Sequence, residues 1–218
     1  MSLQQIAEAA GRELEHARAE DVLAWAIDTF GERFAIASSM ETGVLAHLVS
    51  RVAKGVDVLF LDTGYHFAET IGTRDAVGAV YDVNVLTISA NRPDDRLYEV
   101  DVDACCKARK VDPLDAALDR YDAWASGVRR DESPSRAGTP VVGWDGKRGK
   151  VKVNPLATWT QADVDAYIEA NGVLVNPLLL DGYPSIGCAP CTKRVAPGDD
   201  PRSGRWAGTV KTECGLHV

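Results

Sequence analysis

The chain has 218 residues, 45% of them hydrophobic and 26% charged, which is enough for one domain with a full hydrophobic core. The formal net charge of −8 at pH 7 argues against general nucleic-acid binding. No apolar run approaches the roughly 18 residues of a membrane helix, and the first residues, Met1 to Gln5, lack the pattern of a signal peptide. We therefore expect a cytoplasmic protein that binds neither nucleic acid nor membrane.

The predicted elements begin with two helices, over residues 3–18 and from Val22 to Phe30, with Asp21 as the N-cap of the second. Strands then alternate with helices. The predicted strands cover residues 34–39, 56–61 and 83–89, and the predicted helices cover 44–53 and 68–81. Near-continuous apolar strands separated by helices are typical of a parallel, doubly wound α/β sheet.

The turn after the first strand contains the hydroxyl side chains of Ser38, Ser39 and Thr42 and leads into a helix. A helix N-terminus attracts anions, and ligands of open α/β sheets bind at the carboxyl ends of the strands. These residues therefore predict a phosphate position, although an ordinary strand–helix turn is an equally good interpretation. The turn has neither the Gly-Lys-Ser/Thr of a Walker A loop nor the Ser-Gly-Gly-x-Asp-Ser of ATP pyrophosphatases.

The pattern from about residue 94 to 126 is helical, with a predicted helix from Pro113 at N1 to about Ala125. A strand pair is predicted at 141–144 and 150–153, and a helix capped by Thr160 at 161–170. After Gly172 the chain is rich in Gly and Pro and loses its periodicity. We expect one domain over residues 1–207 and a mobile tail over 208–218.

Basic residues are concentrated in the second part of the chain. Residues 1–103 carry 8 Lys/Arg and 18 Asp/Glu, whereas residues 104–218 carry 16 and 14. The second group includes Lys107, Arg109, Lys110, Arg129, Arg130, Arg136, Lys193, Arg194, Arg202 and Arg205. A solvated surface is the ordinary explanation, but the position of these residues beside the cysteines favours an anion site.

The five cysteines form two pairs and a single residue: Cys105-Cys106, Cys188-x-x-Cys191, and Cys214 near the end. A Cys-x-x-Cys pair suits a metal centre or a disulfide, and disulfides are uncommon in the cytoplasm. Neighbouring helical side chains point about 100° apart, so Cys105 and Cys106 could reach one centre only with local distortion. A centre that joins both pairs would also pin the irregular tail. The separate Cys214 suggests a nucleophile.

Longer motifs link these residues: Leu61-Asp62-Thr63-Gly64, Cys105-Cys106-x-x-Arg109-Lys110, Gly127-x-Arg129-Arg130-Asp131-Glu132-Ser133-x-Ser135-Arg136, Gly187-Cys188-x-x-Cys191-Thr192, Arg202-x-x-Arg205-Trp206 and Glu213-Cys214-Gly215-Leu216-His217. With these motifs the chain resembles the assimilatory sulfonucleotide reductases, specifically the bacterial adenylyl-sulfate (APS) reductase branch, from about Phe34 to His217. Thr42 stands where that family usually has Asp, and Ala68 where Pro is common.

The resemblance implies an adenine-nucleotide-binding α/β fold related to ATP pyrophosphatases and a [4Fe-4S] cluster on Cys105, Cys106, Cys188 and Cys191. It implies that Lys110, Arg202 and Arg205 bind the phosphosulfate, that Ser39 belongs to the phosphate loop, beside Ser38, and that Leu61 lies near the adenine. Arg129 and Arg130 are further candidates for holding the anion.

The mechanism expected from this resemblance has Cys214 attack the sulfur of APS, after which thioredoxin (or glutaredoxin) releases sulfite. His217 is a candidate acid or base, although a role without chemistry is as compatible with a mobile tail. A homo-oligomer is compatible with the sequence. Three other functions are weighed: reduction of 3′-phosphoadenylyl sulfate (PAPS), adenylation in tRNA thiolation, and iron–sulfur redox sensing.

Overall fold

The computed structural model describes residues 1–209, 211, 213, 215 and 216. The helices are α1 (Leu3–Glu13), α2 (Ala19–Phe30), α3 (Val44–Val52), α4 (Ala68–Val80), α5 (Leu97–Val100), α6 (Val102–Cys106), α7 (Asp112–Leu118) and α8 (Gln161–Asn171). The strands are β1 (Phe34–Ala37), β2 (Val56–Asp62), β3 (Val83–Ser89), β4 (Ala123–Ser126), β5 (Val142–Asp145) and β6 (Lys150–Val153).

The six strands form one sheet in the order β3-β2-β1-β4-β6-β5. All neighbouring pairs are parallel except β5 with β6, which is an antiparallel pair at the edge of the sheet. From β1 the chain passes to β2 and β3 on one side, and later returns to β4 on the other. This reversal between β1 and β4 is a topological switch point, where open α/β sheets bind their ligands.

Helices cover both faces of the sheet, so the fold has three layers. On one face, buried residues of α1, α2, α3, α4 and α8 pack with the sheet in the larger core. On the other face, Leu114 and Leu118 of α7 form a smaller core with Leu59 and Trp124. Successive strand residues point to opposite faces, and accordingly Ile36 belongs to the larger core and Ala35 to the smaller one. The predicted single α/β domain with a mostly parallel sheet is confirmed.

The predicted helix from Pro113 to about Ala125 is wrong in its second half. Helix α7 ends at Leu118, and Ala123–Ser126 form β4, a wholly buried strand at the centre of the sheet. A four-residue strand buried on both faces has no alternation of polar and apolar residues, so its sequence cannot be told from a helical segment.

The boundaries of the first two helices also differ from the prediction. Helix α1 ends at Glu13 rather than at residue 18, and α2 begins at Ala19 after Arg18, so Asp21 lies inside the first turn. An acidic residue in the first turn stabilises the positive end of the helix dipole, which explains why Asp21 resembled an N-cap.

The C-terminal segment, residues 172–209 with 211, 213, 215 and 216, is held to the domain largely by polar contacts. The buried Asn176 side chain donates to Met40 O and to Thr70 Oγ1, and it accepts from the Leu178 N–H. The Ala189 N–H donates to Tyr65 O at 2.7 Å. Among the described residues, no helix has the length and apolar character needed to cross a bilayer.

Candidate active site and cysteine cavity

A cavity of about 610 Å³ opens at the carboxyl ends of the central strands. Its lining includes Ala37 at the end of β1, Leu61 near the end of β2, and Ser126 at the end of β4. The cavity therefore lies at the switch point of the sheet, and its volume is in the range of small-molecule and cofactor sites. We call it the large cavity.

The turn between β1 and α3 forms one wall of the large cavity and contains the predicted Ser38 and Ser39. The Ser38 hydroxyl accepts a hydrogen bond from the Met40 N–H at 3.3 Å. Met40 has a φ of 58° and is fully buried, a conformation that costs energy for a residue other than glycine and is typical of functional sites. Within the described residues, no side chain caps the N-terminus of α3, which leaves its dipole available to an anion.

Among the residues that the structure describes, five cationic side chains line the large cavity: Lys110, Arg129, Arg136, Arg202 and Arg205. Within the described part of the chain, two of their buried nitrogens have no hydrogen-bond partner, Arg129 Nη1 and Arg205 Nε. A buried guanidinium N–H without an acceptor is costly, so both groups are suited to an anionic ligand. Burial and the nearby charge of Arg136 lower the pKa of Arg202.

Arg130 lies outside the lining of the large cavity, although it neighbours Arg129 in sequence. Its Nε donates to Thr139 O at 2.7 Å, and its Nη2 pairs with Glu15 at 2.6 Å. The structure therefore gives no support to a contact between Arg130 and an anion in this cavity.

Glu41 joins the turn after β1 to the loop that carries Cys188. Its carboxylate accepts from the Ile186 N–H at 2.8 Å, and its carbonyl accepts from the Asn176 N–H. Burial raises the pKa of Glu41, while the Ile186 N–H and the positive charge of Arg205 oppose the shift. One carboxylate thus fixes the relative position of two segments that are about 145 residues apart.

Next to the large cavity lies a smaller one that all four predicted cluster ligands line, Cys105, Cys106, Cys188 and Cys191. We call it the cysteine cavity. Burial and then the neighbouring Cys188 raise the pKa of Cys191 to about 11. Lys110, Arg205 and Trp206 line both cavities and so form the wall between them.

Within the described residues, no group of three or more His, Cys, Asp or Glu side chains is arranged around a single metal ion. A [4Fe-4S] cluster makes a different demand, because each of its four irons takes one thiolate and the thiolates stand further apart. Four cysteines that face one cavity fit that demand in number and in chemistry.

The helix that carries Cys105 and Cys106 becomes irregular directly after the pair. Helix α6 ends at Cys106 and continues as a π-helical turn, Lys107–Val111, before α7 begins. π-Helical turns are rare in proteins, and many of those that do occur are at functional sites. This turn directs Lys110 to the wall between the cavities.

Arg109, on the same turn, has a structural role. It is 2% exposed, stacks 4.4 Å from the Tyr65 ring centroid, and donates to Thr63 O at 2.9 Å. Hydrogen bonds from Arg109 hold the pKa of Asp95 far below its usual range, with Arg92 adding to the effect.

Several lining residues were missed in the sequence. Trp124 lies within the predicted helix and Ser126 follows it, so the sequence does not predict that both belong to a strand that ends at the cavity. His66 also lines the large cavity; its Nε2 lies 2.8 Å from Leu61 O, and burial lowers its pKa. The Arg-rich loop was recognised, but the sequence did not show that Arg136 would face the cavity and Arg130 would not.

Cys214 and His217 lie outside the described residues, so their predicted roles stay predictions. Their neighbours Glu213 and Leu216 line the large cavity. The mobility expected of residues 208–218 likewise stays a prediction.

The sequence profile of the phosphoadenosine phosphosulfate reductase domain matches residues 33–194. The chain is 60% identical to an adenosine 5′-phosphosulfate reductase of Streptomyces coelicolor, over 99% of this chain and 94% of the relative. The chain belongs to the APS/PAPS reductase family. It is also 54% identical to an adenosine 5′-phosphosulfate reductase of Mycolicibacterium smegmatis, over 99% of this chain and 95% of the relative.

One solved structure agrees with membership of the APS/PAPS reductase family, and a second shares the fold. A phosphoadenylyl-sulfate reductase from Candida auris, in a phosphate complex, superposes with a TM-score of 0.75 at 28% identity, covering 89% of this chain and 99% of that one. An FMN adenylyltransferase from Candida glabrata has a TM-score of 0.59 at 11% identity, covering 87% and 72%. The second likeness shows a shared fold alone.

Proposed function

We propose that the protein reduces adenylyl sulfate to sulfite and AMP, with thioredoxin as the reductant, in the cytoplasmic assimilation of sulfate for cysteine biosynthesis. The observation that carries this proposal is the convergence of Lys110, Arg129, Arg202 and Arg205 on a cavity that shares a wall with four cysteines. The names of the relatives, adenosine 5′-phosphosulfate reductases at 60% and 54% identity, support the same substrate.

The chemistry of each part of the large cavity supports one orientation of the substrate. The adenine lies beside Leu61, and the phosphate of the phosphosulfate group faces Ser38, Ser39 and the N-terminus of α3. The sulfate end of the same group lies against Lys110, Arg129, Arg202 and Arg205. The unpartnered N–H groups of Arg129 and Arg205 then find acceptors in its oxygens.

In the first step, the thiolate of Cys214 attacks the sulfur of the sulfate group, the bond from sulfur to the phosphate oxygen breaks, and AMP leaves. The product is S-sulfocysteine at position 214. The cationic residues neutralise the repulsion between thiolate and substrate, and they stabilise the charge that develops on the leaving phosphate. His217 is a candidate for accepting the thiol proton.

In the second step, a thioredoxin thiolate attacks Sγ of Cys214, and sulfite leaves. The mixed disulfide is resolved by the second thioredoxin thiol, which restores Cys214 and oxidises thioredoxin to its disulfide. The two electrons that reduce the sulfur therefore come from the two thioredoxin thiols.

Cys105, Cys106, Cys188 and Cys191 are the proposed ligands of a [4Fe-4S] cluster, which supplies a fixed local charge and cross-links two distant segments. Thr63, which is not a proposed ligand, has its Oγ1 3.3 Å from Cys188 Sγ and so contacts one of the ligands. Lys110 and Arg205 border the cysteine cavity and bind the phosphosulfate on their other side, so a rigid cysteine cavity positions both cations.

The deciding experiment supplies anaerobically purified protein with APS or PAPS and reduced thioredoxin, and measures sulfite. Formation of sulfite from APS in preference to PAPS supports the proposal, and a preference for PAPS contradicts it. The Cys214→Ser variant is expected to keep the visible absorption of the cluster and to form no sulfite. Sulfite formation by that variant would show that the nucleophile is another residue.

PAPS reduction is the second candidate, favoured by the structural likeness to the Candida auris enzyme. The four cysteines that line one cavity favour APS, because the PAPS branch of the family typically lacks the cluster cysteines. An adenylating enzyme would instead release pyrophosphate in a parallel incubation with ATP and Mg²⁺, and a redox sensor would form no sulfite.

A further inference from the structure

Lys211, Glu213 and Leu216 of the C-terminal tail contact the domain. Lys211 pairs with Asp103, and Leu216 packs against the smaller core. Between them, Glu213 meets the loop that contains Arg136. These contacts attach the part of the chain that includes Cys214 to two different walls of the large cavity.

The contact between Glu213 and Arg136 is bidentate. Arg136 Nε and Nη2 donate to the two carboxylate oxygens at 2.9 and 2.7 Å, while Ser135 Oγ and Arg202 Nη2 lie 3.4 Å away. The side chains of Glu213 and Arg136 are only 13% and 12% exposed. Burial by itself would raise the pKa of Glu213, but the hydrogen bonds and charge of Arg136 outweigh it and lower the pKa. Two parallel bonds fix the orientation of the carboxylate as well as its distance.

Arg136 is also held by contacts outside the tail. Its Nη1 pairs with Glu132, and Glu132 also accepts from the Arg129 N–H at 3.1 Å. Arg136 ends a short 3₁₀ turn, Pro134–Arg136, that begins at a proline. A guanidinium fixed in this way loses little rotational freedom when it binds a second carboxylate.

The second anchor of the tail is at Leu216. Its carbonyl accepts from Arg148 Nη1 at 3.2 Å, and Arg148 is held by Asp145 at 3.0 Å and by Asp115 at 2.6 Å. The Arg148 side chain is 5% exposed. The two anchors, Glu213 and Leu216, are on either side of Cys214 and Gly215 in the sequence.

The arginines around the large cavity differ in how closely carboxylates hold them. Among the described residues Arg129 Nη1 and Arg205 Nε have no hydrogen-bond partner, and the carboxylate nearest to Arg129 Nη1, that of Asp131, is 3.8 Å away. Arg136, in contrast, donates hydrogen bonds to the carboxylates of Glu132 and Glu213. We propose that Arg136 is a positioning residue that docks the tail through its bidentate pair with Glu213 and thereby brings the thiol of Cys214 to the large cavity. This role rests on the proposed function only in taking Cys214 as the nucleophile.

The first test measures docking without any substrate. The holoprotein is treated with iodoacetamide, and alkylation of Cys214 is followed by mass spectrometry of the tryptic peptide after Lys211. Removal of a positive charge in Arg136→Ala would by itself raise the pKa of the thiol and slow alkylation. Release of a docked tail does the opposite, so we expect alkylation to become faster by roughly 10-fold. An unchanged or slower rate overturns the docking role.

The second test measures positioning for the reaction. Holoprotein and APS are mixed without reductant, and S-sulfonation of Cys214 is followed in a single turnover. We expect Arg136→Ala and Glu213→Ala each to slow sulfonation by roughly 10-fold to 100-fold, and the double variant to be no slower than either. If the reductions in sulfonation rate are additive in the double variant, or if either single variant reacts as fast as the wild type, the proposal is wrong.

Matched controls separate docking from folding and from the chemistry. Glu15→Ala breaks an ion pair with Arg130 in the same loop, outside the large cavity, and should react like the wild type in both tests. Arg136→Gln, which preserves shape, should show the same changes as Arg136→Ala, with cluster absorption confirming that the fold is intact. If APS fails to sulfonate the wild type while Arg136→Ala is still alkylated faster, the docking role stands and the proposed function is wrong.

Discussion

The sheet with its covering helices and the C-terminal segment are stabilised by different forces. The sheet region buries large apolar side chains on both faces, including Leu23, Leu48 and Phe60 with no exposed surface. The C-terminal segment has few such residues and relies on individual polar contacts such as Glu41 with Ile186 N–H and Asn176 with Thr70. Apolar burial is shared among many neighbours, whereas a buried polar contact depends on one partner.

The difference between the regions matches their proposed tasks. The sheet and its covering helices form a rigid floor of the large cavity, in which helix termini and strand ends have fixed positions. The C-terminal segment brings Cys188, Cys191, Arg202 and Arg205 to that floor, and a centre on the cysteines would lock it there. Changes in the first region should therefore alter global stability, and changes in the second should alter the site while the sheet persists.

The largest expected effect is in the C-terminal segment, from Cys188→Ser. We expect the visible cluster absorption and sulfite formation to be lost, because a cluster with four thiolates loses one ligand. Tryptic cleavage at Lys193 and Arg202 should become faster by roughly 10-fold, since the segment loses its cross-link. Far-ultraviolet circular dichroism should keep the signal of the folded sheet. Retained absorption together with unchanged cleavage would show that Cys188 does not hold the segment.

In the sheet region, Leu48→Ala should lower the free energy of unfolding by about 2–5 kcal/mol, because it leaves a cavity in the larger core. Urea denaturation measures this change. At low urea the large cavity should keep its affinity for AMP, since Leu48 is not among the residues that line it. Val80→Ala, at a position 64% exposed, is the control and should change stability by less than about 0.5 kcal/mol. Equal losses of stability in the two variants would show that burial of the Leu48 side chain does not stabilise the sheet region.

A smaller and more local effect is expected from Gly187→Ala. A Cβ at this position would lie 2.6 Å from Arg205 Nη2 and 2.8 Å from Arg205 Cζ, so the guanidinium must move. We expect KM for APS to rise by roughly 10-fold, as steady-state kinetics would show, with global stability nearly unchanged.

The matched glycine control for Gly187→Ala is in the sheet region. Gly72 lies inside α4, and a Cβ added there would have nothing within 4 Å, so Gly72→Ala should stabilise the protein by about 1 kcal/mol and leave KM unchanged. An unchanged KM in Gly187→Ala would mean that Arg205 does not contact the substrate.

The smallest expected effect is a pH dependence of the sheet region. Tyr121 Oη donates to Asp57 Oδ2 at 2.6 Å, and burial, followed by this bond, raises the pKa of Tyr121 to about 12. An unfolded tyrosine has a pKa of about 10, so this contribution to stability is complete below pH ~10 and falls as the pH rises from ~10 to ~12. Tyr121→Phe should therefore lose less stability than the wild type over that interval in urea denaturation. If the wild type and Tyr121→Phe lose the same stability over this pH interval, the fold does not hold the Tyr121 hydroxyl in its neutral form.

Much of the fold was readable in the sequence because it depends on local patterns. The apolar runs of β1, β2 and β3 and the helices between them determine an α/β class, and the spacing of the cysteines indicates two pairs and a single thiol. Short buried elements could not be predicted from the sequence. Ala123–Ser126 form β4 because they pair with β1 in the folded sheet, and this pairing is not encoded in a local pattern. Because β4 was not predicted, the sequence also did not predict that Trp124 and Ser126 line the large cavity.

For the site, the sequence determined which chemical groups are available, and the tertiary structure decided which of them face one another. Arg129, Arg130 and Arg136 belong to one polar loop, yet Arg129 and Arg136 line the large cavity while Arg130 pairs with Glu15, which follows α1. Adjacent side chains point in different directions, and the partner of each charge comes from a distant part of the chain. The same holds for Glu41 and Ile186 and for Arg136 and Glu213, whose pairing depends on the packing of the whole domain.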